Sequence, residues 1–318
     1  MKHQRLEILH EDNDVIVVDK PAGLPSIAPE GSRMRSAYGI VTELIRRRNP
    51  KGRAAVVHRL DRDTSGVMVF ATNAKAKAEL MSNWNELVLC RRYLAVVEGL
   101  VREDAFVMDD WLIERTIGRV SVAKPGESCA NGPALRAVSS VRVLKRGASY
   151  SLVELELETG RKHQIRAQLA SRGHPVAGDE RYGSRSDPAG RLCLHANLLV
   201  FMRRIGEEPM RFESPMPPEF AAALSRKAEP HAAAKRNAPS RAAASSDTAP
   251  RGAGQRGARQ GGKKREQDRK DRPGRDSEER QPRRAVPPRK PAGGKPGTAT
   301  SGPRKSSSRY PMDTRRRP

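Results

Sequence analysis

Apolar residues run through this chain as far as Leu224 and then almost stop. From Arg226 to Pro318 the sequence is chiefly Arg, Lys, Pro, Gly, Ser and Ala. Ordering a residue costs on the order of 1–2 kcal/mol of conformational entropy, which a segment repays by burying apolar surface. The segment after residue 225 has next to nothing to bury. The expectation is therefore a folded domain over residues 1–225, of ordinary single-domain size, followed by a disordered tail over residues 226–318.

Charge follows the same division. The tail from Arg226 carries 27 Lys and Arg against 9 Asp and Glu, which is +18 of the chain's formal +24. The part before it is only mildly basic, with 34 basic and 28 acidic residues. A polycation of this kind is matched by nucleic acid, or by a surface of anionic lipid. No run approaches membrane-spanning length, and Met1 to Asp12 is polar where a signal peptide would be apolar, so the cytoplasm is the expected location. Cys90, Cys129 and Cys193 are odd in number and form no C-x-x-C pair, so they read as reduced thiols and not as a zinc site or redox dithiol.

Within the domain, Val15-Ile16-Val17-Val18 is a short β-branched run stopped by Pro21-Ala22-Gly23, the pattern of a buried strand ending in a turn. Ile40, Val41, Leu44 and Ile45 stand at helical spacing in Ser36 to Arg48, before the stop Asn49-Pro50. Val67 to Ala71 reads as a strand and Ala74 to Leu87 as one helix. Arg92 to Val97 reads as extended, as does Ser151 to Leu157, whose alternation predicts one wet face. His163 to Ser171 is helical, closed by Gly173-His174-Pro175. Strands and helices mix without regular βαβ alternation, so the class is α+β with much antiparallel sheet.

The densest cluster of reactive residue types is His58-Arg59-Leu60-Asp61-Arg62-Asp63-Thr64-Ser65-Gly66, between the apolar runs Ala54 to Val57 and Val67 to Ala71. A charged loop pinned between strands presents groups from a rigid scaffold. An isolated Asp in such a loop ordinarily caps a turn, and its Arg neighbours are ordinarily solvated. His163 and His195 have no carboxylate or Cys beside them at ligand spacing, so no metal is expected there.

The nine-residue string as a whole resembles the H-R-L-D-x-x-T-S-G signature of the RluA-like pseudouridine synthases, and it matches every fixed position. Companion segments follow in the same order. Asp19 to Leu24 resembles a strand entering K-P-x-G-L, and Arg92 to Gly99 resembles K-x-Y-x-A-x-V-x-G. Thr159 to Arg166 resembles T-G-R-x-H-Q-I-R. Gly173 to Asp179 with Tyr182-Gly183, and then Arg191 to Ala196 with its L-H-A, complete the series.

The resemblance implies a pseudouridine synthase catalytic fold: a central, largely antiparallel mixed sheet with flanking helices and an RNA-binding cleft. It implies an isomerase that turns uridines of structured RNA, rRNA or tRNA, into pseudouridine without a cofactor; a monomer is expected. Asp61 is then the catalytic carboxylate, Arg166 its ion-pair partner, and Tyr93 the aromatic on the target base. Arg59 takes part in flipping the base, and Arg161 and Leu194 contact the RNA substrate. Burial alone disfavours a charged carboxylate, and a guanidinium beside it offsets that cost. Departures from the family pattern are Arg92 for its usual Lys, Lys162 for a small hydroxyl residue and Gln168 for a frequent His; they bear on the RNA contacts more than on the reaction. The first strand begins within about fifteen residues of Met1, which leaves no room for a preceding S4 module, and the basic tail is a candidate to supply RNA affinity in its place. Two other readings fit the composition: a non-catalytic RNA-binding factor on the same fold, and a protein whose tail compacts or anneals nucleic acid.

Overall fold

The computed structural model describes residues 5–116 and 118–227. Apart from Arg226 and Lys227, the tail expected over 226–318 lies outside the described residues. In chain order the first elements are β1 (Glu7–Glu11), β2 (Val15–Lys20), α1 (Ala37–Arg46), β3 (Ala55–Val56), β4 (Ser65–Ala71), α2 (Ala74–Ser82), α3 (Trp84–Leu87) and β5 (Val88–Glu98). Then come β6 (Ala105–Thr116), β7 (Arg119–Ala123), β8 (Ser128–Cys129), β9 (Gly132–Pro133), β10 (Leu135–Arg146) and β11 (Tyr150–Leu157). The chain continues through α4 (Gln164–Ser171), β12 (Leu194–Phe201), β13 (Met210–Glu213) and α5 (Pro218–Leu224).

Nine strands follow one path, β1-β2-β4-β12-β5-β11-β10-β6-β7, with β13 beside β12 and β3 beside β4. Every pairing is antiparallel except β4 with β12, which run parallel through Ser65↔His195 and Gly66↔Ala196. The expected mixed, mainly antiparallel α+β sheet is therefore what the chain forms.

Alternation explains the unbroken apolar run of β2. Ile16 and Val18, with Met68 and Phe70 of β4, pack under α1 through Ala37 and Val41. Val15 and Val17, with Val67, Val69 and Ala71, face the other way, onto Ala76, Leu80 and Leu87 of α2 and α3. With both faces covered, neither register position can be polar. A third core joins β5 and β11 to α4 and α5.

The parallel seam requires close approach. At Gly66, where φ is +113°, a Cβ would lie 2.1 Å from the Ala196 carbonyl oxygen. Only glycine lets β4 and β12 meet there. Beyond the seam, β4 turns from β12 to β3, pairing Phe70 with Val56 and Ala71 with Ala55. The loop between β3 and β4 thus emerges where the two halves of the sheet part.

Two expectations change. Ala74 to Leu87 is not one helix: Asn83 donates from Nδ2 to Glu79 Oε1 at 2.9 Å, while its carbonyl accepts from Glu86 and Leu87 N–H. A short polar side chain that bonds locally competes with the helix, and the chain breaks there into α2 and α3. In β11 the wet face is confined to Glu154 and Glu156; Ser151 is buried, donating to Gly99 O at 3.0 Å and accepting from Val101 N–H at 3.0 Å.

Candidate active site

Asp61 is held by what lies on either side of it. Ser26 Oγ donates to Leu60 O at 2.7 Å and accepts from Leu60 N–H at 3.1 Å, and the Leu60 side chain is buried under α1. On the other side, Arg62 O accepts from Gly23 N–H at 2.9 Å and from Lys20 Nζ at 3.0 Å. Lys20 is fully buried, and its remaining bonds go to Pro21 O and Leu24 O. The turn after β2 and the Asp61 loop are therefore clamped together through backbone atoms.

Arg166, in the first turn of α4, reaches Asp61 from the other half of the sheet. Its Nη1 donates to Asp61 Oδ2 at 2.9 Å. Its other edge is bidentate to Asp179, Nε to Oδ2 at 2.6 Å and Nη2 to Oδ1 at 2.9 Å, and its Cζ lies 4.9 Å from the centre of the Tyr182 ring. Burial works against the Arg166 charge, but Asp179 and then Asp61 outweigh it and raise the pKa above its ordinary value. Asp61 Oδ1 makes no hydrogen bond among the described residues.

α4 is docked by its glutamines as well as by Ile165 and Leu169, which enter the third core. Gln164 Nε2 donates to Val138 O at 3.0 Å and Ser139 Oγ at 2.9 Å. Gln168 accepts from Ser139 Oγ at 2.8 Å and donates to Ala137 O at 3.0 Å. Gln168 is fully buried, so this departure from the family pattern bears on packing and not on RNA contacts. Arg92 pairs with Glu156 at 3.2 Å, and Lys162 pairs with Glu114.

All six residues singled out from sequence, Arg59, Asp61, Tyr93, Arg161, Arg166 and Leu194, line one slot of about 60 Å³. Burial of the Tyr93 phenol, moderated by Arg91 and reinforced by Asp61, pushes its pKa up to about 12, so it stays neutral. Leu194 is buried. Arg161 is exposed and donates from Nε to Arg136 O at 3.0 Å. Arg59 is exposed and has no hydrogen-bond or ion-pair partner among the described residues; Asp63 pairs with Arg62 instead, at 3.7 Å.

The slot opens between two larger cavities that share Asp61, Arg62 and His163. One, of about 750 Å³, is lined by Arg59, Arg62, Arg91, Arg161 and Lys162 with Asp61 its one acid. The other, of about 870 Å³, sets four Arg against six acids. A polyanion is favoured in the first and not in the second.

Three participants lay inside the quoted motifs without being singled out. His163 is the one non-glycine residue with positive φ among the described residues, at 51°. That conformation carries strain, a feature that clusters at functional sites. Its Nδ1 lies 2.9 Å from Tyr182 Oη and its Nε2 3.7 Å from Asp61 Oδ2. Burial pulls its pKa below the ordinary imidazole value, against Asp61, which raises it. Asp179 and Tyr182 complete the frame around Arg166; the need of a buried guanidinium for more than one partner is the signal that could have found them. Among the described residues no group of three or more His, Cys, Asp or Glu could hold a metal ion, and no helix is long and apolar enough to cross a membrane.

The sequence profile of the RNA pseudouridylate synthase family matches residues 14–171. A Bacillus subtilis protein described as the uncharacterized RNA pseudouridine synthase YhcT is 36% identical over 221 residues, covering 69% of this chain and 71% of that one. Ribosomal large subunit pseudouridine synthase D of Neisseria meningitidis is 35% identical over 232 residues, 69% of this chain and 60% of that one. Among solved structures, human RNA pseudouridylate synthase domain containing 1 superposes with a TM-score of 0.55 at 26% identity, over 71% of this chain and 89% of that one. Human RNA pseudouridylate synthase domain containing 4 shares the fold, with a TM-score of 0.56 at 23% identity, over 69% of this chain and 91% of that one.

Proposed function

Because the chain belongs to the RNA pseudouridylate synthase family and is an RNA-directed isomerase, we propose that it converts chosen uridines of ribosomal RNA to pseudouridine with Asp61 as the catalytic carboxylate. The ribosomal substrate is suggested by the named activity of the Neisseria meningitidis relative. In this reaction the N1–C1′ bond breaks, the uracil turns, and a C5–C1′ bond forms. C5 loses a proton and N1 gains one, so the product has the atoms of the reactant.

The observation that carries the reading is the division of labour at Asp61. Its Oδ2 is taken by Arg166 at 2.9 Å, while its Oδ1 is left for the substrate in a slot shared with Tyr93 and Leu194. Arg166 cannot swing away, because Asp179 holds its other edge. A carboxylate so oriented acts as nucleophile or as electrostatic partner to the developing sugar cation. Tyr93, a neutral phenol, packs on the base and takes part in moving the C5 proton. Neither C1′ nor C5 is reachable in a stacked base, so the uridine is extruded into the slot. Arg59, exposed at its rim and without a partner among the described residues, fills the gap that is left.

The test is a map of pseudouridines across total RNA from a strain lacking the gene, complemented with wild type or with Asp61→Asn. A ribosomal site that vanishes, returns with wild type and stays absent with Asp61→Asn supports the proposal. A site in transfer RNA moves the substrate, restoration by Asp61→Asn removes Asp61 from the chemistry, and no change at any site overturns the reading.

A further inference from the structure

Arg91 is a guanidinium without a counter-ion among the described residues. It lies two residues from Tyr93 along β5, on the same face and about 7 Å away, and it lines the 750 Å³ basic cavity. Its Nη2 donates to Leu157 O at 3.3 Å and Glu158 O at 2.9 Å, yet no carboxylate pairs with it among the described residues. Its neighbour Arg92 has Glu154 and Glu156, and Arg166 has Asp61 and Asp179. Backbone carbonyls orient a guanidinium but do not neutralise it, and burial lowers the Arg91 pKa accordingly. A Cβ at Gly160 would lie 2.6 Å from Arg91 Nη1, so the glycine leaves room for the guanidinium where the two carbonyls orient it. A charge held in this way at a cavity wall fits an anion that arrives from outside.

The same cavity has an aromatic wall. Trp84, the first residue of α3, stands half-buried at the break that Asn83 makes, and it lines the cavity with Asn85. His58 backs it, with ring centroids 5.0 Å apart, and His58 is itself fixed by accepting from Val69 N–H at 3.0 Å. The indole N–H has no partner among the described residues. An indole on the wall of an open basic cavity is a stacking platform for a nucleobase, and an oriented Arg on the same wall receives the phosphate.

We propose that this cavity is a second nucleotide subsite, which holds the nucleotide next to the target uridine in the same RNA strand with its base on Trp84 and its phosphate on Arg91. The proposal rests on the pseudouridine synthase reading and extends it to how the strand is gripped.

The chain's two tryptophans, Trp84 and Trp111, make the test direct. Trp111 lies on β6 and does not line the cavity. Full-length Trp111→Phe protein therefore reports on Trp84 alone, whatever the rest of the chain binds. Titrated with the uridine trinucleotide UpUpU, its emission is expected to be quenched to saturation. Arg91→Gln in the same background is expected to raise the half-saturating concentration about tenfold or more, and uridine 5′-monophosphate to quench at least tenfold more weakly than the trinucleotide. Equal quenching by the mononucleotide, or an unchanged midpoint with Arg91→Gln, would overturn the assignment. RNA binding by polarisation of a labelled oligonucleotide and pseudouridine formation are followed in parallel. Flat Trp84 emission with RNA bound and modified overturns the subsite and leaves the catalytic reading standing, whereas quenching without pseudouridine in any cellular RNA overturns the catalytic reading and, with it, the assignment of the bound nucleotide as the neighbour of a target uridine.

Discussion

Asp179 holds Arg166 from a side chain that is only 2% exposed, and Arg166 itself is 11% exposed. Asp179→Asn keeps the shape, removes the charge, and turns an amide donor toward a guanidinium that has only donors to offer. Loss of one member of a buried ion pair costs about 3–5 kcal/mol when the survivor is left uncompensated; Arg166 keeps Asp61 at 2.9 Å, so the cost here falls at the lower end, about 3 kcal/mol. For an ordered part of this size that lowers Tm by about 10 °C. Arg166→Met costs a similar amount by orphaning Asp179, and it also strips Asp61 of its partner. With both substitutions no orphan remains between positions 166 and 179, so the double variant should be less destabilised than the sum of the singles by about 2 kcal/mol or more. It stays below wild type, since Asp61 is still unpaired. Urea denaturation of the four proteins gives the cycle. If the two losses simply add, Asp179 does not act through Arg166 and the frame around Asp61 is wrongly assigned.

Three further expectations follow from other parts of the molecule. His58 accepts from Val69 N–H through Nε2 and cannot do so protonated; burial and the Arg91 charge pull its pKa down to about 3. The unfolded chain takes up this proton near pH 6.5 and the folded chain does not. Stability from His58 is thus intact above pH 6.5 and falls on acidification, by about 2 kcal/mol at pH 5, a loss that denaturation at pH 7 and pH 5 should show missing in His58→Gln. Gly66→Ala would place a Cβ 2.1 Å from Ala196 O at a φ of +113°, so the seam must open, and loss of soluble folded protein or a Tm drop above 10 °C is expected by circular dichroism. Truncation after Lys227 removes most of the chain's excess positive charge; pseudouridine formation on the substrate should persist, while RNA affinity weakens and its dependence on salt flattens.

Much of the domain was legible from residue order alone. The run Val15 to Val18 could be read as a buried strand ending in a turn, and the H-R-L-D-R-D-T-S-G string as a presented loop, before any neighbour was known, because period, punctuation and motif are local properties. The six residues singled out along the chain converge on one slot. Locality also explains the misreadings: apolar spacing carried the helix through Asn83, where a side-chain hydrogen bond that spacing does not register ends it.

What only the tertiary structure decided are the relations between segments distant in sequence. That Arg166 has a bidentate partner in Asp179 and a ring beneath it in Tyr182, that Lys20 clamps the loop of Asp61 from 42 residues away, and that Arg91 pairs with no carboxylate among the described residues are facts of juxtaposition. They arise where β4 and β12 meet at Gly66, and no periodicity encodes which strand lies next to which. Residue type determines what chemistry a side chain can do; the packing of the sheet determines which charges are paired, and so which are left for the substrate.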